Sequence, residues 1–477
     1  MTHDNSAALT DLAGFPMAFA VSADAINQKF AELYGNASNS PQTFPMLPWD
    51  LSGSGWKLHV TDVSAPRVTF ATEYKQGVAM DMEIIAGDFF SFENIMPPDM
   101  HFPPTAEDLK KIKVKSVQTP LNGVTLSVIA KVDMIEHEDW SDANFSAQAL
   151  FMDLEKIMAV DLRLSQDSKV SVSGTLKSGI ETLLNNHLDD IAKKAKKARK
   201  QPLLFGAVKL PRIEKETTGP LKPTKSAYSV TVDHADDGTS RSALNFLLCN
   251  SAVPDIRRTN GAGIFDHCLL HGDGLATLVI SDATVLDSFV RPAIMDAWKD
   301  IDLRLERRPM GKDPSVLGFT GDFNFGVTLD DHDRNAYLKQ FVAQIKNNRI
   351  HIDYHWTSSV YHWSSDIDVE VSGTQTIKLK TENGALSQTI DTPEPHVATD
   401  DSDLTARVFG DILTFGFDEI GRQKTSDSGK RSMQHLNKNI MDNIGSALES
   451  FVLPGGAVLK FEGAWLDRHL YVNASYR

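Results

Sequence analysis

Phe19-Ala20-Val21-Ser22, followed by Ile26 and Phe30, returns later in the chain as Leu278-Val279-Ile280-Ser281, followed by Val285 and Phe289. The two occurrences lie 281 − 22 = 259 residues apart. In each, a short apolar strand feeds a helix whose first turn is capped by a serine hydroxyl. A second match comes in the same order: Leu204-Phe205-Gly206-Ala207-Val208 parallels Leu453-Pro454-Gly455-Gly456-Ala457-Val458, at an offset of 456 − 206 = 250. Each half therefore reads strand, helix, many strands, long helix, glycine turn, strand. A repeat on this scale predicts two homologous units of ordinary domain size. They are placed at 1–225 and 226–477, with 1–14 as a tail and the proline-containing 211–225 as the linker.

Between the matched ends the dominant pattern is alternation. Val68, Phe70, Thr72 and Tyr74 form one row. Val124, Leu126, Val128, Ala130, Val132 and Met134 form another. Phe319, Phe323, Phe325 and Val327 belong to a third, and Ile367, Val369 and Val371 oppose Asp366, Asp368 and Glu370. A period of two with one polar face predicts antiparallel strands. Asn122-Gly123 and Asn383-Gly384 fit tight hairpin turns, because the pair tolerates positive φ. Pro97-Pro98 and Pro103-Pro104 mark an extended loop.

Helices are few. The first follows Ser22, and a third starts near Ser281 with Pro292 expected to end or kink it. Two are long. Over about 175–200, Ile180, Leu184, Leu188 and Ile191 step along one face. Over about 428–451, Leu436, Ile440, Ile444, Leu448 and Phe451 do the same. The predicted fold class is α+β: two tandem units, each a long amphipathic helix wrapped by a strongly twisted antiparallel sheet.

Composition narrows the function. Acidic residues outnumber basic ones, 63 against 48, for a formal charge of −15. A field of that sign repels phosphate backbones, so no nucleic-acid partner is expected. No apolar run approaches the roughly 20 residues that cross a bilayer. The polar start lacks the layout of a signal peptide, so synthesis in the cytoplasm is expected, with export only by a non-classical route. Cys249 and Cys268 read as reduced thiols.

A helix of some 25 residues spans about 37 Å. Where helix and sheet do not close fully, the seam is a long apolar groove suited to an acyl chain, each buried methylene adding about 0.8 kcal/mol. The candidate groove residues are Ile180, Leu184, Leu188, Ile191, Leu436, Ile440, Ile444 and Leu448; the same positions also suit a sealed core. Lys193, Lys194, Lys196, Lys197, Arg199 and Lys200 crowd the end of the first long helix. They suit a helix C-terminus, and they are candidates for contact with anionic head groups in a peripheral membrane contact.

Three segments carry a resemblance. They are Leu275 to Ser281 with Phe289-Val290-Arg291-Pro292, Phe451 to Phe461, and Leu47-Pro48-Trp49-Asp50 leading into the Trp56 strand. With the order of elements, they resemble the TULIP superfamily of tubular lipid-binding proteins. Within it, the chain is similar to the forty-seven-kilodalton protein and its relatives in OrfX-type botulinum neurotoxin gene clusters. The resemblance implies a non-enzymatic accessory protein of a toxin-type cluster. It implies a lipid or other apolar ligand, toxin-complex proteins as further partners, no cofactor and no catalytic residues.

Two other classes stand beside this one. One is a pure interaction protein with filled cores. The other is a metal-dependent enzyme, which needs the His351, Asp353, His355 face of a strand to bind metal. His267 with His271, and Asp330 with Asp331 and Asp333, are weaker ligand sets, and no metal site is assigned. Ser52-Gly53-Ser54-Gly55 lacks the first glycine of a nucleophile elbow and precedes a strand.

Overall fold

The computed structural model describes residues 12–34, 47–53, 55–70, 77–97, 102–136, 145–164, 174–197, 204–212, 219–234, 240–252, 268–270, 275–297, 306–310, 313–329, 332–362, 365–382, 385–391, 396–399, 439–453 and 459–476, with single positions at 100, 141, 265 and 393. β1 (Met17–Ser22) runs into α1 (Ala23–Tyr34). Next come β2 (Trp49–Gly53), β3 (Trp56–Val63), β4 (Arg67–Phe70) and β5 (Gly77–Ile95). The short α2 (Ala106–Lys111) precedes β6 (Lys113–Pro120), β7 (Val124–Glu136) and β8 (Phe145–Leu164). The long α3 (Gly174–Lys197) leads to β9 (Leu204–Pro211), β10 (Lys225–His234) and β11 (Ser240–Cys249). β12 (Ala276–Ile280) starts the second series, followed by α4 (Asp282–Val285), a π-helical turn (Leu286–Val290) and α5 (Arg291–Ala297). β13 (Glu306–Met310), β14 (Asp313–Leu329), β15 (His332–Lys346), β16 (Arg349–His362), β17 (Ser365–Glu382), β18 (Ala385–Asp391) and β19 (His396–Thr399) come next. Helix α6, over 439–449, precedes β20 (Phe451–Val452), β21 (Leu459–Asp467) and β22 (His469–Tyr476).

Three sheets result. A nine-stranded sheet has the order β2-β3-β5-β7-β8-β9-β20, with β4 and β6 also on β5. A seven-stranded sheet runs β13-β14-β15-β16-β17-β18, with β19 on β17. Between the two series stands a six-stranded sheet of order β10-β11-β1-β12-β22-β21. The α+β architecture of long helices on twisted antiparallel sheets is the one the alternation predicts.

The central sheet explains the repeat physically. β1 and β12 pair antiparallel with Phe19 opposite Leu278, the two residues the repeat superimposes. The Ser22 N–H donates to the Leu275 carbonyl at 2.9 Å, and the Ser281 N–H donates to the Pro16 carbonyl at 3.0 Å. These two bonds exchange under a local two-fold relation. The caps repeat as well: Ser22 Oγ accepts from Ala25 N at 3.0 Å and Ser281 Oγ accepts from Thr284 N at 3.2 Å. Outward, the hairpin β10–β11 flanks β1 as β21–β22 flanks β12. Strand exchange thus crosses residue 225 in both directions, since β20 also pairs with β9.

Every residue of β1 and β12 is buried, because the central sheet is covered on both faces. Met17, Phe19 and Val21 join the main core, while Ala18 and Ala20 join a second one with Leu12, Phe15, Leu269 and Tyr471. Leu12 and Ala13, expected in a tail, are therefore core residues. Phe19 stacks on Phe451 with ring centroids 3.9 Å apart, and Phe246 stands edge-on to Phe451 at 6.0 Å.

Four local expectations change. Asn122-Gly123 does not reverse the chain. β6 and β7 both run antiparallel to β5 in one continuous register, and the Leu121 and Gly123 N–H groups bond the Gly87 and Ile84 carbonyls. The pair interrupts one long strand; Gly123 supplies the positive φ of 82° that the interruption needs. Pro292 does not end its helix. A π turn immediately before it, with the Arg291 N–H on the Leu286 carbonyl, widens the helix where the ring lacks an N–H, and α5 runs on to Ala297. Phe451 leaves the helical stripe and starts β20. The loop expected around the paired prolines contains α2, closed by a Thr105/Asp108 capping box. The other hairpin stands: β17 and β18 close on Glu382 opposite Ala385, while Asn383 and Gly384 themselves lie outside the described residues.

Candidate functional site

The candidate site is the pair of seams where the long helices meet the sheets. In the first, α3 lies against β2, β3 and β8. Its stripe of Leu176, Ile180, Leu183 and Leu184 is buried. Gly179 sets how close the helix comes: a Cβ built there would fall 2.5 Å from Phe89 Cζ and 3.2 Å from Trp56 Cδ2. Any side chain at 179 forces the Phe89 ring or the helix to move. At the rim, the His187 ring nitrogen lies 3.2 Å from the Ser52 carbonyl oxygen. The outward face of α3 carries Lys177 and Glu181, 3.9 Å apart.

In the second seam, Ile440, Ile444, Ala447 and Leu448 of α6 face the core. The helix end is stitched to the first series, where the Lys209 N–H donates to the Ser450 carbonyl at 2.8 Å. The two seams share one continuous apolar core that reaches from the nine-stranded sheet through the central sheet to the seven-stranded sheet.

Of the candidate groove residues, Ile180, Leu184, Ile440, Ile444 and Leu448 are brought into this core, and none exceeds 3% exposure. At that exposure each is in contact with packed neighbours rather than an open channel. Leu188 and Ile191 lie on α3 with side chains outside the described set, and Leu436 lies outside the described residues. Lys193, Lys194, Lys196 and Lys197 fall on the last turns of α3, where their charge suits the helix C-terminus. Arg199 and Lys200 lie outside the described residues.

The positioning of the helices rests on polar contacts that the stripe pattern does not show. The Asn27 amide of α1 donates to the Val68 carbonyl at 3.0 Å and accepts from the Val68 N–H at 2.6 Å. It acts as one more strand residue beside β4 and fixes α1 to the nine-stranded sheet. An asparagine among the apolar positions of α1 is the signal that was available for this.

The histidine face behaves as read. Ile352, Tyr354 and Trp356 are core residues of β16, and His351, Asp353 and His355 take the other, half-buried face. Asp353 accepts from Thr374 Oγ1 at 2.7 Å, and His355 Nε2 stands 4.0 Å from Glu370. Among the described residues no group of three or more His, Cys, Asp or Glu side chains is placed to hold a metal ion. His267, His271, Asp330 and Asp331 lie outside them. Nor is any described helix long and apolar enough to cross a membrane.

Helix α3 and the described part of α6, packed on antiparallel sheets that a shared central sheet joins, give a fold of the P47 kind. The structure is similar to P47 of Clostridium botulinum E1, with a TM-score of 0.58 at 11% identity, over 97% of this chain and 99% of that one. It is similar to P47 from Clostridium botulinum A2, with a TM-score of 0.56 at 11% identity, over 98% of each chain. At that identity the likeness is one of fold. A lipopolysaccharide binding protein superimposes with a TM-score of 0.28 at 10% identity over 97% of this chain. No protein-family model and no characterised protein matches the sequence itself.

Proposed function

We propose that the chain is a non-enzymatic binding protein for a lipid or other apolar ligand, acting as an accessory component of a toxin-type gene cluster. The observation that carries the reading is the fold shared with P47 over nearly the whole chain. Two seams lined by aliphatic side chains support it, because an acyl chain is held by burial alone. In this reading the chain comprises two units, 1–225 and 226–477. The ligand lies along Ile180, Leu184, Leu188 and Ile191 or along Leu436, Ile440, Ile444 and Leu448. The described members of both stripes are closed, so a ligand enters by parting helix from sheet. The basic residues Lys193, Lys194, Lys196 and Lys197 at the end of α3, with Arg199 and Lys200 beyond it in sequence, then meet anionic head groups.

A second reading is favoured by that closure: filled cores, with the outer faces docking partner proteins of a toxin complex. Binding of a fluorescent phospholipid to the purified chain separates the two. The ligand reading expects saturable, stoichiometric binding. Absence of saturable binding leaves the docking reading.

A further inference from the structure

Six of the nine large apolar side chains exposed among the described residues sit on one projection: Phe92, Ile95, Met96, Phe102, Leu109 and Val114. The projection is a two-stranded ribbon. β3 follows β5 only as far as Trp56 opposite Ser91, and beyond it β5 pairs with β6 alone, from Phe92 opposite Ser116 to Ile95 opposite Lys113. Among the described residues, Pro103, Pro104 and the helix α2 follow at its tip. The helix start is capped: Thr105 Oγ1 accepts from Asp108 N at 3.2 Å, and Asp108 Oδ2 accepts from Thr105 N at 3.1 Å. Phe102, 93% exposed, precedes this capped turn.

The apolar groups do not converge on one face. Val114, opposite Asn94, shares the face of Phe92, whereas Ile95, opposite Lys113, points to the other, and Leu109 lies on α2. A protein pocket closes over one face of such a ribbon, whereas apolar groups on both faces suit a medium that surrounds it. Beside these groups, Lys110, Lys111, Lys113 and Lys115 fall within six residues of an otherwise acidic chain. The acidic residues here, Glu93, Asp99, Glu107 and Asp108, equal the lysines in number, but two of them are engaged: Asp108 is buried in the cap with Lys111 Nζ at 3.8 Å, and Glu93 stands opposite Lys115. Glu107 sits in the first turn of α2, where the helix dipole favours it. Lysine stems that lie along apolar groups and end in water are the side chains of a membrane interface.

We infer that this tip is a membrane-docking element that inserts its apolar crest, Phe102 foremost, into the surface of an anionic phospholipid bilayer while its lysines meet the head groups. The inference is independent of ligand uptake in the seams, and the two fail separately, one in vesicle flotation and the other in lipid stoichiometry. The test is flotation of the full chain with phosphatidylcholine vesicles, with and without phosphatidylglycerol. Binding is expected with phosphatidylglycerol and weakened by salt. Phe102→Ser combined with Met96→Ser is expected to weaken it at least about tenfold with an unchanged melting temperature, since both side chains are exposed. A dye on Phe102→Cys, free of competition from the buried Cys249 and Cys268, is expected to shift its emission to the blue on vesicle addition. A wild-type chain that does not float with anionic vesicles overturns the inference. So does a double variant that floats as well as the wild type, or a dye that reports no change.

Discussion

Tyr34 ends α1 against Phe30, their rings 5.9 Å apart. Burial pushes its hydroxyl up from the ordinary tyrosine value of 10 to about 12. Tyr471 is raised too, by burial first and then by the nearby Asp467 carboxylate. The folded chain therefore keeps protons that the unfolded chain releases near pH 10. Stability from Tyr34 is complete below that pH and is lost as pH rises towards about 12. Denaturant titrations across this window are expected to show Tyr34→Phe losing stability less steeply than the wild type. Parallel curves for the two chains contradict the assignment. Phe19 is a different kind of residue: its place opposite Leu278 makes it the meeting point of the two series. That place was legible in sequence, because the repeat superimposes the same pair. The contact of Gly179 with Phe89 was not, since a small residue in a helical stripe carries no sign of what approaches it.

The two serine-capped helices are the elements on which the repeat rests. Ser22 caps α1 with one hydrogen bond. Ser281 caps α4 and also lies 2.9 Å from Thr284 Oγ1, which reaches the Pro16 carbonyl at 3.3 Å. Ser22→Ala is expected to cost about 1 kcal/mol, and Ser281→Ala more, up to about 2 kcal/mol, as its loss also strips a partner from a buried threonine. Chemical denaturation of the two variants measures the difference; equal costs contradict the wider role of Ser281. Strands and the long helix α3 were legible because burial of one face imposes a period; of the helix expected over about 428–451, 428–438 lie outside the described residues and 439–449 are helical. What was illegible are elements whose form depends on a distant neighbour. The Asn122-Gly123 turn does not reverse the strand because β5 continues past it and pairs with both β6 and β7, and Phe451 becomes strand because β9 offers its edge. Pro292 stays in a helix because one wider turn precedes it.

On the scale of the molecule, the central sheet joins the two series through their first strands and returning hairpins. A fault at the β1–β12 pairing reaches both long-helix seams, since one core serves them all. The general architecture was legible from repeat and alternation. The burial of Ile180, Leu184, Ile440, Ile444 and Leu448 was not, because an apolar stripe reads the same whether a side chain or an acyl chain covers it. The exposed apolar tip is illegible for a related reason: exposure of Phe102 is a property of the projection, not of its neighbours in sequence. The central claim, that the fold serves to hold an apolar ligand, is tested most directly by native mass spectrometry of the purified chain with solvent extraction of what accompanies it. The account predicts a lipid at defined stoichiometry, bound on purification or taken up from mixed phospholipids. A bare mass that stays unchanged after that incubation contradicts it.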